Sequence, residues 1–113
     1  MQSSAREQYL TTQVMTATPQ KLQLMLIEAA IRSGQRARQQ WQDQQPEQAC
    51  ESLIHAQQIV GRLLAALDHE AGAKLVKDVA ALYLFVFRSL MEANYHRDLT
   101  KLDDALRIAL NLD

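Results

Sequence analysis

The stretch PEQACESLIHAQQIVGRLLAAL, residues 46–67, sets Ala49, Leu53, Ala56, Val60, Leu63 and Leu67 at spacings of four, three, four, three and four. An α-helix turns once in about 3.6 residues, so these positions fall on one side of the cylinder and form a seam suited to another helix. Pro46 fits the first turn of such a helix, where its missing N–H is one of the donors a helix leaves unbonded in any case. The seam predicts a core of helix against helix.

The same pattern recurs on both sides of it. Upstream, Thr18 followed by Pro19 reads as an N-cap and a first helical position, because the hydroxyl can accept an orphan amide. The helix that starts there is predicted to run to about Trp41 before dissolving in QDQQPEQ. It carries one stripe of Leu22, Met25, Leu26 and Ala29, and a second of Leu24, Ile27 and Ile31 on roughly the opposite side. Downstream, DHEAG at 68–72 breaks the pattern, with Gly72 supplying the freedom a reversal needs. A third helix is predicted to about His96, with a core stripe of Leu75, Val79, Leu82, Val86, Leu90 and Ala93. Asp98 can cap a fourth, in which Leu99, Leu102, Leu106 and Leu110 recur. Short connections make neighbouring helices antiparallel, so the expected fold is an all-α, up-and-down four-helix bundle over residues 18–113. Residues 1–17 form a short N-terminal arm whose sparse apolar residues are Tyr9, Leu10, Val14 and Met15.

Composition agrees with this architecture and narrows the function. The 113 residues suit one domain with a single core, and scarce Gly, Pro and aromatics favour helix over sheet. A net charge of −1 gives no electrostatic case for nucleic acid or an anionic membrane. Arg32, Arg36 and Arg38 near the end of the first helix read as a solvated face that complements the helix dipole. The longest apolar run, VAALYLFVF at 79–87, falls far short of the ~20 residues that span a bilayer. The start MQSSAREQYL has no apolar signal core, and the single Cys50 excludes an internal disulfide. A cytoplasmic setting is the expectation.

Two helices carry more apolar surface than one buried face requires. Beside its core stripe, the third helix aligns Ala80, Leu84, Phe87, Met91 and Tyr95 on an adjoining face. Burying a Leu, Phe or Met contributes ~1.5–3 kcal/mol, so leaving several wet would forgo stability and invite aggregation. Phe87 also fits a wide core, lying only about 80° from the seam's centre by helix geometry. The surplus has three covers available to it: the arm folded back, a second copy of the chain, or an external partner.

Catalytic and metal readings find little support. Glu51/His55 and Glu92/His96 pair a carboxylate with an imidazole four residues apart, but off the core seams, as solvated i,i+4 pairs do. No Ser/His/Asp set, phosphate-cradling Gly loop or CxxC is present, so no enzyme, cofactor or metal is expected. Trp41 is expected to close the bundle end. Tyr83 falls in the core seam with its hydroxyl reaching backbone or a helix end, and Asn94 sits at the seam's edge.

With these features in view, the chain resembles the flagellar secretion chaperone family FliS. The Tyr-bearing arm leading to a Val and a Thr-Pro helix start is present as Tyr9, Val14 and TATPQKLQLMLIEAAI. The central family pattern is present as LDHEAGAKLVKDVAALY, and a later one as LMEANYHRD, with Leu90, Ala93, Asn94 and Asp98. Departures fall at Ile27, Glu28, Ala29, Ala73 and Leu84. The resemblance implies an antiparallel helical bundle that binds the disordered C-terminal segment of flagellin one-to-one, blocks its premature polymerisation and assists delivery to the export apparatus. It implies that the arm occupies part of the client surface in the free protein, with Tyr9 and Val14 mimicking the client. Taken with the surplus stripes, the expected partner-binding residues are Tyr9, Val14, Leu24, Ile27, Ile31, Leu84, Phe87, Met91 and Tyr95. A dimerisation or scaffold module with no flagellin client would use the same stripes.

Overall fold

A computed structural model describes residues 18–67 and 73–112, with the side chains at 73, 75 and 112 left aside. The arm, the turn at 68–72 and the Leu75 side chain therefore lie outside the described residues. Four helices follow in order: α1 (Pro19–Gln42), α2 (Pro46–Ala65), α3 (Ala73–His96) and α4 (Leu99–Leu112). Among the described residues there is no strand.

Local chemistry sets most helix ends where the sequence placed them, although α2 stops at Ala65, two residues before the Leu67 of its seam. The Thr18 hydroxyl accepts the Lys21 N–H at 3.2 Å, and Pro19 follows as the first helical residue. At the other end of α1, Gln44 takes a left-handed φ of 58°. Its N–H then reaches the Trp41 carbonyl at 3.1 Å, and the next N–H, of Gln45, reaches the Gln40 carbonyl at 2.8 Å. These paired bonds satisfy carbonyls that the helix end would leave bare. Arg97, with φ 52°, repeats the device after α3, where the Asp98 N–H bonds the Ala93 carbonyl at 3.0 Å. Asp98 also caps α4, its Oδ1 accepting the Thr100 N–H at 2.9 Å. One residue thus ends one helix and begins the next, forcing the chain back on itself.

The helices form a ring in which α1 packs on α2, α2 on α3, α3 on α4 and α4 on α1, with α1·α2 the most extensive contact. That contact is made by small residues. Ala30, Ser33 and Ala37 of α1 are buried, as are Ala49, Ser52 and Ala56 of α2. Buried hydroxyls need partners, and these have them. Ser33 Oγ donates to the Ser52 carbonyl at 2.8 Å, and Ser52 Oγ donates to Gln40 Oε1 at 2.6 Å. Leu53, Val60 and Leu63 supply bulk from α2, as the 46–67 seam predicted, with Leu67 half-buried beyond them.

Three stripes need correction. In α1 the buried face is Ile27, Ala30, Ile31, Ser33, Gly34 and Ala37, while Leu22, Met25, Leu26 and Ala29 are half-buried. The wheel weighted by large side chains pointed wrongly, because the tight approach to α2 and α4 is made through small ones. In α3 the core takes Tyr83, Val86, Leu90 and Ala93, but Leu82 is exposed. Tyr83 turns inward instead, where its hydroxyl accepts from the Gln23 side-chain amide of α1 rather than from backbone or a helix end. In α4, Leu102, Ala105, Leu106 and Ala109 are buried, whereas Leu99 and Leu110 are exposed at its two ends. Trp41 is half-buried against the core and Asn94 is half-buried.

Candidate partner-binding surface

Helix periodicity places Ala81, Leu84, Arg88, Met91 and Tyr95 on one side of α3, three or four residues apart. The buried residues Tyr83, Val86, Leu90 and Ala93 occupy the opposite side. The outward side therefore carries apolar residues that are not core, with Arg88 exposed among them. Leu84 is 40% exposed, Met91 47% and Tyr95 84%. Phe85, at 46% exposed, extends the patch toward α4. Scattered exposed apolar residues are ordinary, but a run along one helix makes this face the candidate interaction surface. The Tyr95 ring meets the His96 ring edge-on, with centroids 4.9 Å apart.

The expected binding residues separate into groups. Leu84, Met91 and Tyr95 share the outward face of α3. Phe87 is half-buried and packs against the core. Leu24 is 41% exposed, but on α1, which packs against α2 and α4, so it stands apart from the α3 face. Ile27 and Ile31 are sealed in the core and offer no surface. Tyr9 and Val14 lie outside the described residues. Phe85 escaped the sequence reading because it sits about 100° round the helix from Leu84, in neither stripe. Its signal was the unbroken apolar run 79–87, too continuous for a helix with one wet face.

Two recesses flank these elements. A pocket of about 220 Å³ opens where α1 begins, lined by Pro19, Leu22, Gln23 and Leu26 of α1, with Leu63 and Leu67 opposite. A shallower cleft of about 410 Å³ lies along α3 and reaches Lys101 of α4. Lys101 Nζ is 3.5 Å from Glu92 Oε2, tying the two helices at the cleft's edge. Glu51, His55, Glu92 and His96 are all exposed, but neither Glu–His pair closes to within 4.0 Å, and Glu92 pairs with Lys101 instead. Among the described residues no set of three or more His, Cys, Asp or Glu is placed to hold a metal ion, and no helix is long and apolar enough to cross a membrane. Of the three arginines in α1, Arg38 pairs with Asp103 of α4 at 2.9 Å, while Arg32 and Arg36 are exposed.

Comparison with known proteins adds a second line of support. A family model described as "Flagellar protein FliS" matches residues 1–113. The flagellar secretion chaperone FliS of Bacillus subtilis is 32% identical over 90 residues, a match spanning 80% of this chain and 66% of that protein. The flagellar secretion chaperone FliS of Escherichia coli is 29% identical over 100 residues, spanning 88% of this chain and 74% of that protein. The flagellar secretion chaperone FliSB of Pseudomonas aeruginosa is 29% identical over 103 residues, spanning 91% and 82%.

Proposed function

The chain belongs to the FliS family of flagellar proteins, and on that premise we propose that it is a cytoplasmic secretion chaperone whose client is the C-terminal segment of flagellin. The observation that carries this reading is the outward face of α3, where Leu84, Met91 and Tyr95 are exposed in helical register. The relatives named above are flagellar secretion chaperones, which supports an export role. A chaperone for an unstructured tail needs wide apolar contact rather than a reacting centre, and that is what α3 offers.

Mechanistically, the client segment folds on the surface it covers. Ordering such a segment costs ~2–5 kcal/mol or more, which burial of roughly 1,000–3,000 Å² offsets. While bound, its apolar residues are unavailable to other flagellin molecules, so polymerisation waits until the export apparatus takes the client over. The arm, residues 1–17, joins α1 beside the pocket lined by Leu22 and Leu26. Tyr9 and Val14 of that segment are the residues proposed to compete with the client for its surface.

The test is calorimetric titration of the full chain with a peptide of the flagellin C-terminal segment from the same organism. One-to-one binding with a negative heat-capacity change is expected. Absence of binding, together with concentration-dependent self-association in sedimentation, would favour the dimerisation or scaffold reading, since a second copy would then cover the same face.

A further inference from the structure

Arg88 stands within the apolar face of α3, one turn after Leu84 and one turn before Met91 and Glu92. It borders the cleft whose apolar wall is Ala81, Leu84 and Phe85 and whose far edge is Lys101. Glu92, the carboxylate nearest in sequence, is engaged by Lys101. Among the described residues no carboxylate oxygen comes within 4.0 Å of the Arg88 guanidinium. In the free protein Arg88 is exposed, and water satisfies it.

A bound segment changes that balance. Covering Leu84 and Phe85 removes water from the cleft and from Arg88 with it. A guanidinium stripped of water without an acceptor is strongly unfavourable, and among the described residues the one carboxylate lining the cleft, Glu92, is already engaged by Lys101. The occupant must therefore bring the acceptor. A carboxylate matches the planar fork of donors best, accepting two parallel N–H bonds in one orientation. We infer that the client segment presents an Asp or Glu carboxylate to Arg88 while a neighbouring apolar side chain packs against Leu84 and Phe85. This inference rests on the reading of α3 as the client face. It adds register: the apolar stripe alone would let a greasy helix slide by a turn, whereas one ion pair fixes its position.

The experiment compares wild type, Arg88→Gln, Arg88→Lys and Arg88→Glu in binding the flagellin C-terminal peptide at low and high salt. Arg88→Gln is expected to weaken binding about tenfold and to flatten its salt dependence, as loss of a charged hydrogen-bonded pair should. Arg88→Lys keeps the charge but loses the fork, so its affinity falls between the two. In the Arg88→Glu background, peptides with each acidic residue in turn changed to Lys are then titrated, and one of them restores binding. Because these peptides are compared on a single protein, the result is independent of any change in that protein's stability. Arg88→Gln binding within about twofold of wild type with unchanged salt dependence, or restoration by none of the reversed peptides, would overturn the inference while leaving the client reading intact. A wild-type chain that does not bind the peptide overturns the client reading itself. Self-association of the full chain that Arg88→Glu abolishes would assign the face to a second copy and overturn both.

Discussion

Gly34 of α1 and Leu106 of α4 meet so closely that a Cβ on Gly34 would lie 2.8 Å from Leu106 Cδ2. The pair lies where α1 and α4 close the ring, and Leu106 is itself buried, which limits how far its side chain can turn away. A helix-interior glycine costs up to ~1 kcal/mol relative to alanine, so its presence implies a gain in packing. Replacing Gly34 by Val drives a branched side chain into Leu106. The expected cost is about 1–3 kcal/mol, read as a lower urea midpoint with unchanged slope.

Gly61 makes the opposite case. It lies within α2, but a Cβ there would meet nothing within 4 Å. Gly61→Ala should therefore recover helix propensity without a clash, stabilising the free protein by roughly 0.5–1 kcal/mol. Thermal unfolding followed by circular dichroism checks this, and a lowered melting temperature would refute it.

Gln44 and Arg97 each hold a left-handed backbone at the end of a helix. A side chain in that region costs roughly 1–2 kcal/mol from Cβ crowding, which glycine avoids at some expense in chain entropy. Gln44→Gly and Arg97→Gly should each stabilise the bundle by about 0.5–1 kcal/mol. The two sites share no partner, so the double variant should show the sum within about 0.5 kcal/mol in denaturant titration.

Burial divides the expected binding residues into two experimental classes. Met91 is exposed on α3, so Met91→Asp should leave helicity and melting temperature near wild type while weakening flagellin-peptide binding at least about tenfold, the loss of one well-buried apolar contact. Ile27 is sealed in the core, so Ile27→Asp should unfold the bundle or cost more than about 4 kcal/mol, because it buries an unpaired carboxylate. Circular dichroism and calorimetry on both variants test this contrast, and a well-folded Ile27→Asp would refute it.

The amino-acid sequence alone determined the helices, their order and most of their ends, α2 stopping two residues short of Leu67. Thr18 and Asp98 accept backbone N–H groups two or three residues on, and Pro19 and Pro46 act through a fixed φ and a missing N–H, so local chemistry suffices to read all four. The 46–67 seam was equally legible, because its large and small apolar residues share one period. Which face of α1 turns inward was decided only by tertiary packing. Its close contacts run through Ala30, Ser33, Gly34 and Ala37, and small residues carry little weight in a hydrophobic wheel although they allow the closest approach. Tyr83 is buried as its place in the seam predicted, but the exposure of the adjacent Leu82, and the choice of Gln23, sixty residues earlier, as partner of the Tyr83 hydroxyl, were likewise settled by packing. The outward apolar face of α3 was foreseen as a surplus, yet its membership needed the ring of neighbours, which left Phe85 open; the same ring sealed Ile27 and Ile31 of α1.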